Sequence, residues 1–227
     1  MRLKSKLLGC AVLAAVTASS ALADSYTLIM SGSQTGSYWA TPEGQLTDVL
    51  ANYAAPYRTD TSYLSMCVEK DEYFWSGKRY NGSITGTTAD GGGADNTGID
   101  PISVGTAYLY KQLVTGTLSG LLNNLSDLSA RVQNTIWFLE GEQGAGDATL
   151  LAHLGSVFGQ GGYLGNYAGD EVKVINLTKF DGGGGDGQAN WNRQDQLVLH
   201  SVPDGGATVA MLAASLCALV VVRRRRA

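Results

Sequence analysis

The chain has 227 residues, with 16 Lys and Arg against 20 Asp and Glu, a formal net charge of −4, and 30 glycines. Seven of the basic residues (Arg2, Lys4, Lys6 and Arg223 to Arg226) lie at the two ends, which leaves nine bases against twenty acids in between and excludes a nucleic-acid-binding surface. The two histidines, His153 and His200, and the three cysteines lack the spacing of a zinc site, so each histidine is read as a surface or packing residue and no metal is assigned.

The N-terminus, MRLKSKLLGCAVLAAVTASSALADSYT, reads as a secretory signal peptide. Three cationic residues precede a short apolar core from Leu7 to Val16, and Ala21-Leu22-Ala23 is a small-x-small cleavage site. Cleavage is placed between Ala23 and Asp24. A retained anchor helix is the alternative, but the apolar run is too short to span comfortably. Leu-Leu-Gly-Cys around Cys10 loosely has the form of a lipoprotein box. Almost no apolar residues precede it, so that reading is rejected.

Residues 24 to 201 are long enough for one domain with its own core. Short β-prone runs come first: YTLIMS, SYLSMCVEKDEYFW and KRYNGSITGTT. In the second, Tyr63, Ser65, Cys67 and Glu69 alternate with Leu64, Met66 and Val68, which places Cys67 on a strand with the three apolar residues on the other face. DGGGADNTG then reads as a loop.

From Asp100 the pattern turns helical. Asp100-Pro101 reads as an N-cap followed by proline at the first helical position, with Ile102, Leu109 and Leu113 on one face and Gly116 as the stop. A second helix begins near Ser126 or Asp127, with Leu125, Leu128, Val132, Ile136 and Leu139 at helical spacing. A third is capped by Asp147 and buries Leu150, Leu151 and Leu154. DEVKVINLTKF and DQLVLHSV return to strand, separated by the loop DGGGGDGQANWNR. Strands, then helices, then strands predict an α+β fold: a β-sandwich or barrel from the N- and C-terminal segments, with an inserted helical subdomain. The two glycine–aspartate loops fit no calcium-binding repeat.

The C-terminus carries Val202-Pro203-Asp204-Gly205-Gly206, an uncharged apolar run from Ala207 to Val222, and four arginines. As a helix that run is about 24 Å long, short against a hydrocarbon core of about 30 Å, and the arginines should remain on the cytoplasmic side. This layout resembles the PEP-CTERM family of bacterial sorting signals, in a variant where Val-Pro-Asp-Gly-Gly stands in place of Val-Pro-Glu-Pro. The resemblance implies a transient stay in the inner membrane, cutting near the motif by an exosortase-type sorting protease, and delivery to the cell surface or medium. A plain tail anchor is the alternative. The chain therefore divides into a signal peptide (1–23), an ectodomain (24–201) and a sorting signal (202–227).

With both ends set aside, Cys67 is the only cysteine left. A leftover cysteine in an exported protein points to an intermolecular disulfide, a reactive thiol or another covalent partner, and equally to a buried thiol serving as a small apolar residue. One covalent partner is an amide. A thiol can displace ammonia from a glutamine side chain and leave an internal thioester, which must be shielded from water, usually by aromatic side chains. Gln133 fits by context: it sits beside Val132 and Ile136 at the edge of an apolar helical stripe, with Trp137 one turn further on the same side.

MCVEK and VQNTIW resemble the paired cysteine and glutamine motifs of thioester domains from bacterial surface adhesins. There, as here, the cysteine lies early on the β part and the glutamine follows on a helix. DPISVGTAYLYKQLVTGTL, VKVINL and QDQLVL resemble the intervening helix and closing strands of such exported proteins, while Met66 stands where the adhesins often have an aromatic residue or leucine. The resemblance implies Cys67 and Gln133 as the cross-linked pair. It also implies a non-enzymatic function without a cofactor, in which an amine or hydroxyl on a partner attacks the thioester and becomes attached to Gln133. A non-covalent structural component of the extracellular polysaccharide matrix is the competing function. A secreted hydrolase is weakest: there is no GxSxG elbow and no acid/base pair at a telling spacing.

Overall fold

The computed structural model describes residues 24–33, 37–43, 47–70, 74–89, 100–120, 125–179 and 192–200. Its main feature is a six-stranded antiparallel sheet in the order β3-β2-β1-β4-β7-β8. The strands are β1 (Asp24–Ser33), β2 (Ser37–Glu43), β3 (Tyr63–Ser65), β4 (Lys78–Gly86), β7 (Val172–Lys179) and β8 (Asn192–Leu199). A small second sheet pairs β5 (Thr88–Ala89) with β6 (Asp100–Pro101). After the short α1 (Thr47–Leu50), three longer helices follow one another: α2 (Val104–Val114), α3 (Leu125–Leu139) and α4 (Ala148–Phe158).

The two edges of the large sheet nearly meet. Just beyond β3, Cys67 forms an antiparallel bridge with Gln196 of β8. The N–H of Leu197 donates to the carbonyl of Met66 (2.9 Å), and that of Val68 donates to the carbonyl of Asp195 (3.0 Å). The sheet is thus barrel-like, the second of the two architectures expected, and closing it removes the edge that an open sheet would expose. In chain order the three longer helices lie between β6 and β7. Their buried residues, including Leu109, Leu113, Leu128, Val132, Ile136, Leu150 and Leu154, join Leu28, Met30, Val174 and Leu197 of the sheet in one hydrophobic cluster.

Several sequence signals are realised locally. Asp147 caps α4, accepting from the N–H groups of Thr149 (2.9 Å) and Leu150 (3.0 Å). Gly116 follows α2 with φ +78°, a conformation that favours glycine, and its N–H returns to the carbonyl of Leu113. Other readings are corrected. Asp100 and Pro101 pair with Ala89 and Thr88 in an extended ladder, and the N-cap of α2 is Ser103, whose hydroxyl accepts from the N–H of Thr106 (3.1 Å). Leu151 is half-buried, whereas Leu150 and Leu154 are fully buried. The strand expected through Cys67 to Trp75 stops at Ser65, and Cys67 makes a single bridge. β2 has no counterpart in the sequence reading: its run SYWATPE contains a proline and no clean alternation.

Candidate functional site

Cys67 sits where the sheet closes. It lies opposite Gln196 and is flanked by the ladder bonds of Met66 and Val68, so its own N–H and C=O point away from β8. Among the described residues no further strand satisfies them. Instead Gln133, one of the polar residues on α3, lays its side-chain amide along the Cys67 backbone. The N–H of Cys67 donates to Gln133 Oε1 at 2.8 Å, and Gln133 Nε2 donates to the Cys67 carbonyl at 2.7 Å. Both residues are buried. The amide carbon of Gln133, bonded to both of those atoms, is therefore held beside the Cys67 main chain, and Sγ lies only two bonds from that residue's Cα.

The alternation read in the sequence survives in the packing. Leu64, Met66 and Val68 enter the main core, whereas Cys67 belongs to a separate cluster with Tyr38 and Trp137, against which Phe74 packs. Tyr38 and Phe74 meet edge to face at 5.2 Å between ring centroids. Trp137 is buried, with the Lys70 ammonium 6.0 Å from the centroid of its ring. The structure thus brings Cys67, Gln133 and Trp137 together, and adds Tyr38 and Phe74 to the aromatic cover.

Sequence reasoning missed two polar neighbours of the sulfur. Gln196 Nε2 donates to Cys67 Sγ at 3.1 Å, and the Tyr38 hydroxyl is hydrogen-bonded to the same thiol. One signal was present for the first: the polar run Gln194-Asp195-Gln196 stands directly before the apolar run Leu197-Val198-Leu199. Burial drives the Cys67 thiol pKa far up; hydrogen bonds from Gln196 and Tyr38 oppose that shift, while the charges of Glu69 and Asp195 add to it. The Tyr38 hydroxyl is likewise pushed up, first by burial and then by the neighbouring Cys67. As long as Cys67 is a free thiol, its burial therefore favours the protonated form over the thiolate.

The remaining sequence-assigned positions lie elsewhere. Ala23, the sorting motif Val202, Pro203, Asp204, Gly205 and Gly206, and the apolar run after it fall outside the described residues; Asp24 begins β1. His153 is half-buried and shares a hydrogen bond with the Tyr108 hydroxyl at 3.1 Å. The N–H of His200 donates to the carbonyl of Glu171, and neither histidine belongs to the Cys67 cluster.

Residues 201–226 match the VPDSG-CTERM motif. The chain therefore carries a PEP-CTERM-like sorting signal, which supports export and surface localisation and implies processing by an exosortase-type system. That match is confined to the C-terminal segment. No curated protein and no solved structure matches the chain. Among the described residues no helix is long and apolar enough to cross a membrane.

Proposed function

We propose that this exported chain displays an internal Cys67–Gln133 thioester and uses it to attach itself covalently, once, to a nucleophile on a surface or matrix partner. The observation that supports the reading is the placement of the Gln133 amide on the Cys67 backbone, at 2.8 and 2.7 Å, within a buried aromatic cluster. Closure forms the Sγ–Cδ bond. The Cys67 S–H and the Gln133 C–N bonds break, and Nε2 departs with the thiol proton as ammonia. The Cys67 N–H remains in place to donate to the acyl oxygen, so the carbonyl stays polarised toward attack. Exclusion of water by Trp137, Tyr38 and Phe74 slows hydrolysis until a partner's amine or hydroxyl gains access. The reaction then transfers the acyl group to that nucleophile, and the hydrogen it loses ends on Sγ. There is no turnover, so the chain is read as a binding protein and not an enzyme.

A second reading has support from the same two hydrogen bonds. A glutamine amide that satisfies both backbone groups of a buried residue is a sufficient structural role by itself. The protein is then a non-covalent component of the extracellular matrix. Intact mass of the purified exported protein separates the two. The thioester reading expects a mass lower than that of the processed sequence by one ammonia, and uptake of one methylamine with release of one thiol. Cys67→Ala and Gln133→Ala should each abolish both signals. A full sequence mass, a thiol that titrates on unfolding and no amine uptake would establish the non-covalent reading.

A further inference from the structure

Gln196 is an expensive residue for the place it occupies. It is fully buried, and the three residues after it on β8 are Leu197, Val198 and Leu199. Its Nε2 donates to Cys67 Sγ at 3.1 Å and to the Gln194 carbonyl at 3.3 Å, while its Oε1 is buried with no hydrogen-bond partner among the described residues. An apolar side chain of similar length would leave no unsatisfied atom at this position, so packing alone does not account for the amide. The Tyr38 side chain on β2 packs in the same cluster as Cys67, with its hydroxyl as a second hydrogen-bond partner of the sulfur. A neutral thiol or thioester sulfur is a weak acceptor and gains little from two donors. A thiolate is a strong acceptor, and hydrogen bonds to an ionised group are about twice as strong as those between neutral groups.

We propose that Gln196 is a catalytic residue of the Cys67–Gln133 reaction, donating through Nε2 to the sulfur as it becomes the attacking thiolate on closure and the leaving thiolate on opening, with Tyr38 as its partner donor. The proposal rests on the thioester reading. In the closing direction Sγ gives up its proton and attacks Cδ of Gln133, and the nitrogen leaves carrying that proton as ammonia. In the opening direction the bond from nucleophile to Cδ forms, the Cδ–Sγ bond breaks with its electron pair moving to sulfur, and the nucleophile's proton neutralises the thiolate. In both directions negative charge passes through Sγ inside a buried cluster. The groups facing it that could carry charge are Glu69 beyond Val68, Asp195 beside Gln196, and Tyr38. The two carboxylates oppose charge on the sulfur, and the two donors, Gln196 and Tyr38, favour it.

The test is the rate at which methylamine opens the purified exported protein, followed by intact mass and thiol release, in wild type and in Gln196→Leu. Loss of the donor is expected to slow opening at least tenfold. After opening, alkylation of Cys67 should require a higher pH in the variant than in wild type. A packing role gives the opposite sign: loosening the seam admits the amine, opening accelerates, and the alkylation profile stays where it was. Opening at or above the wild-type rate therefore overturns this inference and leaves the thioester reading intact. A wild-type protein of full sequence mass removes the thioester reading and this inference with it. Tyr38→Phe deletes only a hydroxyl and carries the test if Gln196→Leu does not accumulate in folded form. A several-fold slower opening supports the two-donor site, and an unchanged or faster one overturns it.

Discussion

Along the seam that closes the sheet, two neighbouring stretches use buried polar groups in opposite ways. Around Leu64, Ser65 and Leu197, three hydroxyls bridge the seam. Tyr110 reaches the carbonyls of Leu64 and Leu197, both at 2.9 Å, and Ser65 Oγ also donates to the Leu197 carbonyl at 2.7 Å. Tyr53 shares a hydrogen bond with Tyr110 at 2.7 Å and accepts the N–H of Leu199, also at 2.7 Å. One turn of the pleat away, around Cys67 and Gln196, burial is equally complete, yet Gln196 Oε1 and Trp137 Nε1 find no partner among the described residues. In the first stretch the hydroxyls of Tyr53, Ser65 and Tyr110 all have partners across the seam. The second keeps unsatisfied polar atoms around a sulfur, and such atoms cost stability that a purely structural seam would not retain. The contrast separates the part that holds the barrel closed from the part that the thioester reading makes reactive.

The largest effect should come from breaking the stretch around Cys67. Trp137→Ala removes a buried indole and is expected to cost about 3 kcal/mol, read as a lower denaturant midpoint. It also opens the cluster to water. The purified variant should then show a free Cys67 thiol and a Gln133 side chain hydrolysed to a carboxylate, in place of the ammonia deficit. Retention of the full deficit in a folded Trp137→Ala protein would show that the indole is not the shield.

The hydroxyl-bridged stretch should respond differently. Tyr110→Phe deletes the donor to two carbonyls and the partner of the Tyr53 hydroxyl, at about 1 kcal/mol for each hydrogen bond lost, so about 2 kcal/mol in all once Ser65 is left to serve Leu197. The thioester signals of the folded variant should match wild type, because Gln133, Gln196 and Trp137 are untouched. A variant that loses both stability and the ammonia deficit would mean that the two stretches are energetically one unit, which a double-mutant cycle with Gln196→Leu would measure.

What could be read beforehand follows from the range of the forces involved. Cys67 was isolated by elimination, Gln133 by its place at the edge of an apolar stripe, and Trp137 by helical spacing; each of these is a local or compositional property. The α4 cap was legible because Asp147 bonds to N–H groups two and three residues away. Asp100-Pro101 misled because an Asp-Pro pair is also content in an extended ladder, and the choice was made by pairing with Thr88 and Ala89 across the chain. Closure of the sheet, and with it the contact from Gln196 to a sulfur 129 residues earlier, depends on tertiary pairing that no local pattern encodes. The same holds for Tyr38, whose strand β2 carries a proline and no alternation.

The smallest effect is expected at a site outside the seam, and it calibrates the others. Asp147 caps α4 and accepts from Arg131 Nε at 2.6 Å. Asp147→Ala should cost about 1 kcal/mol, the usual value of an N-cap, with the thioester signals unchanged. Its pH dependence has a definite sign. The hydrogen bond from Arg131, aided by the two backbone N–H groups, holds the Asp147 carboxyl below its ordinary value of 3.8. A depressed carboxyl stabilises the fold fully above its unfolded pKa and loses that contribution as the pH falls through the folded one. The stability gap between wild type and Asp147→Ala should therefore be constant near neutrality and shrink only below about pH 4. A gap that shrinks already between pH 7 and 5 would implicate a group other than this carboxyl. Were the cap variant also to alter the rate of methylamine opening, α3 would be transmitting strain from Arg131 to Gln133 two residues further on, and the seam could no longer be treated as independent of the helices that cover it.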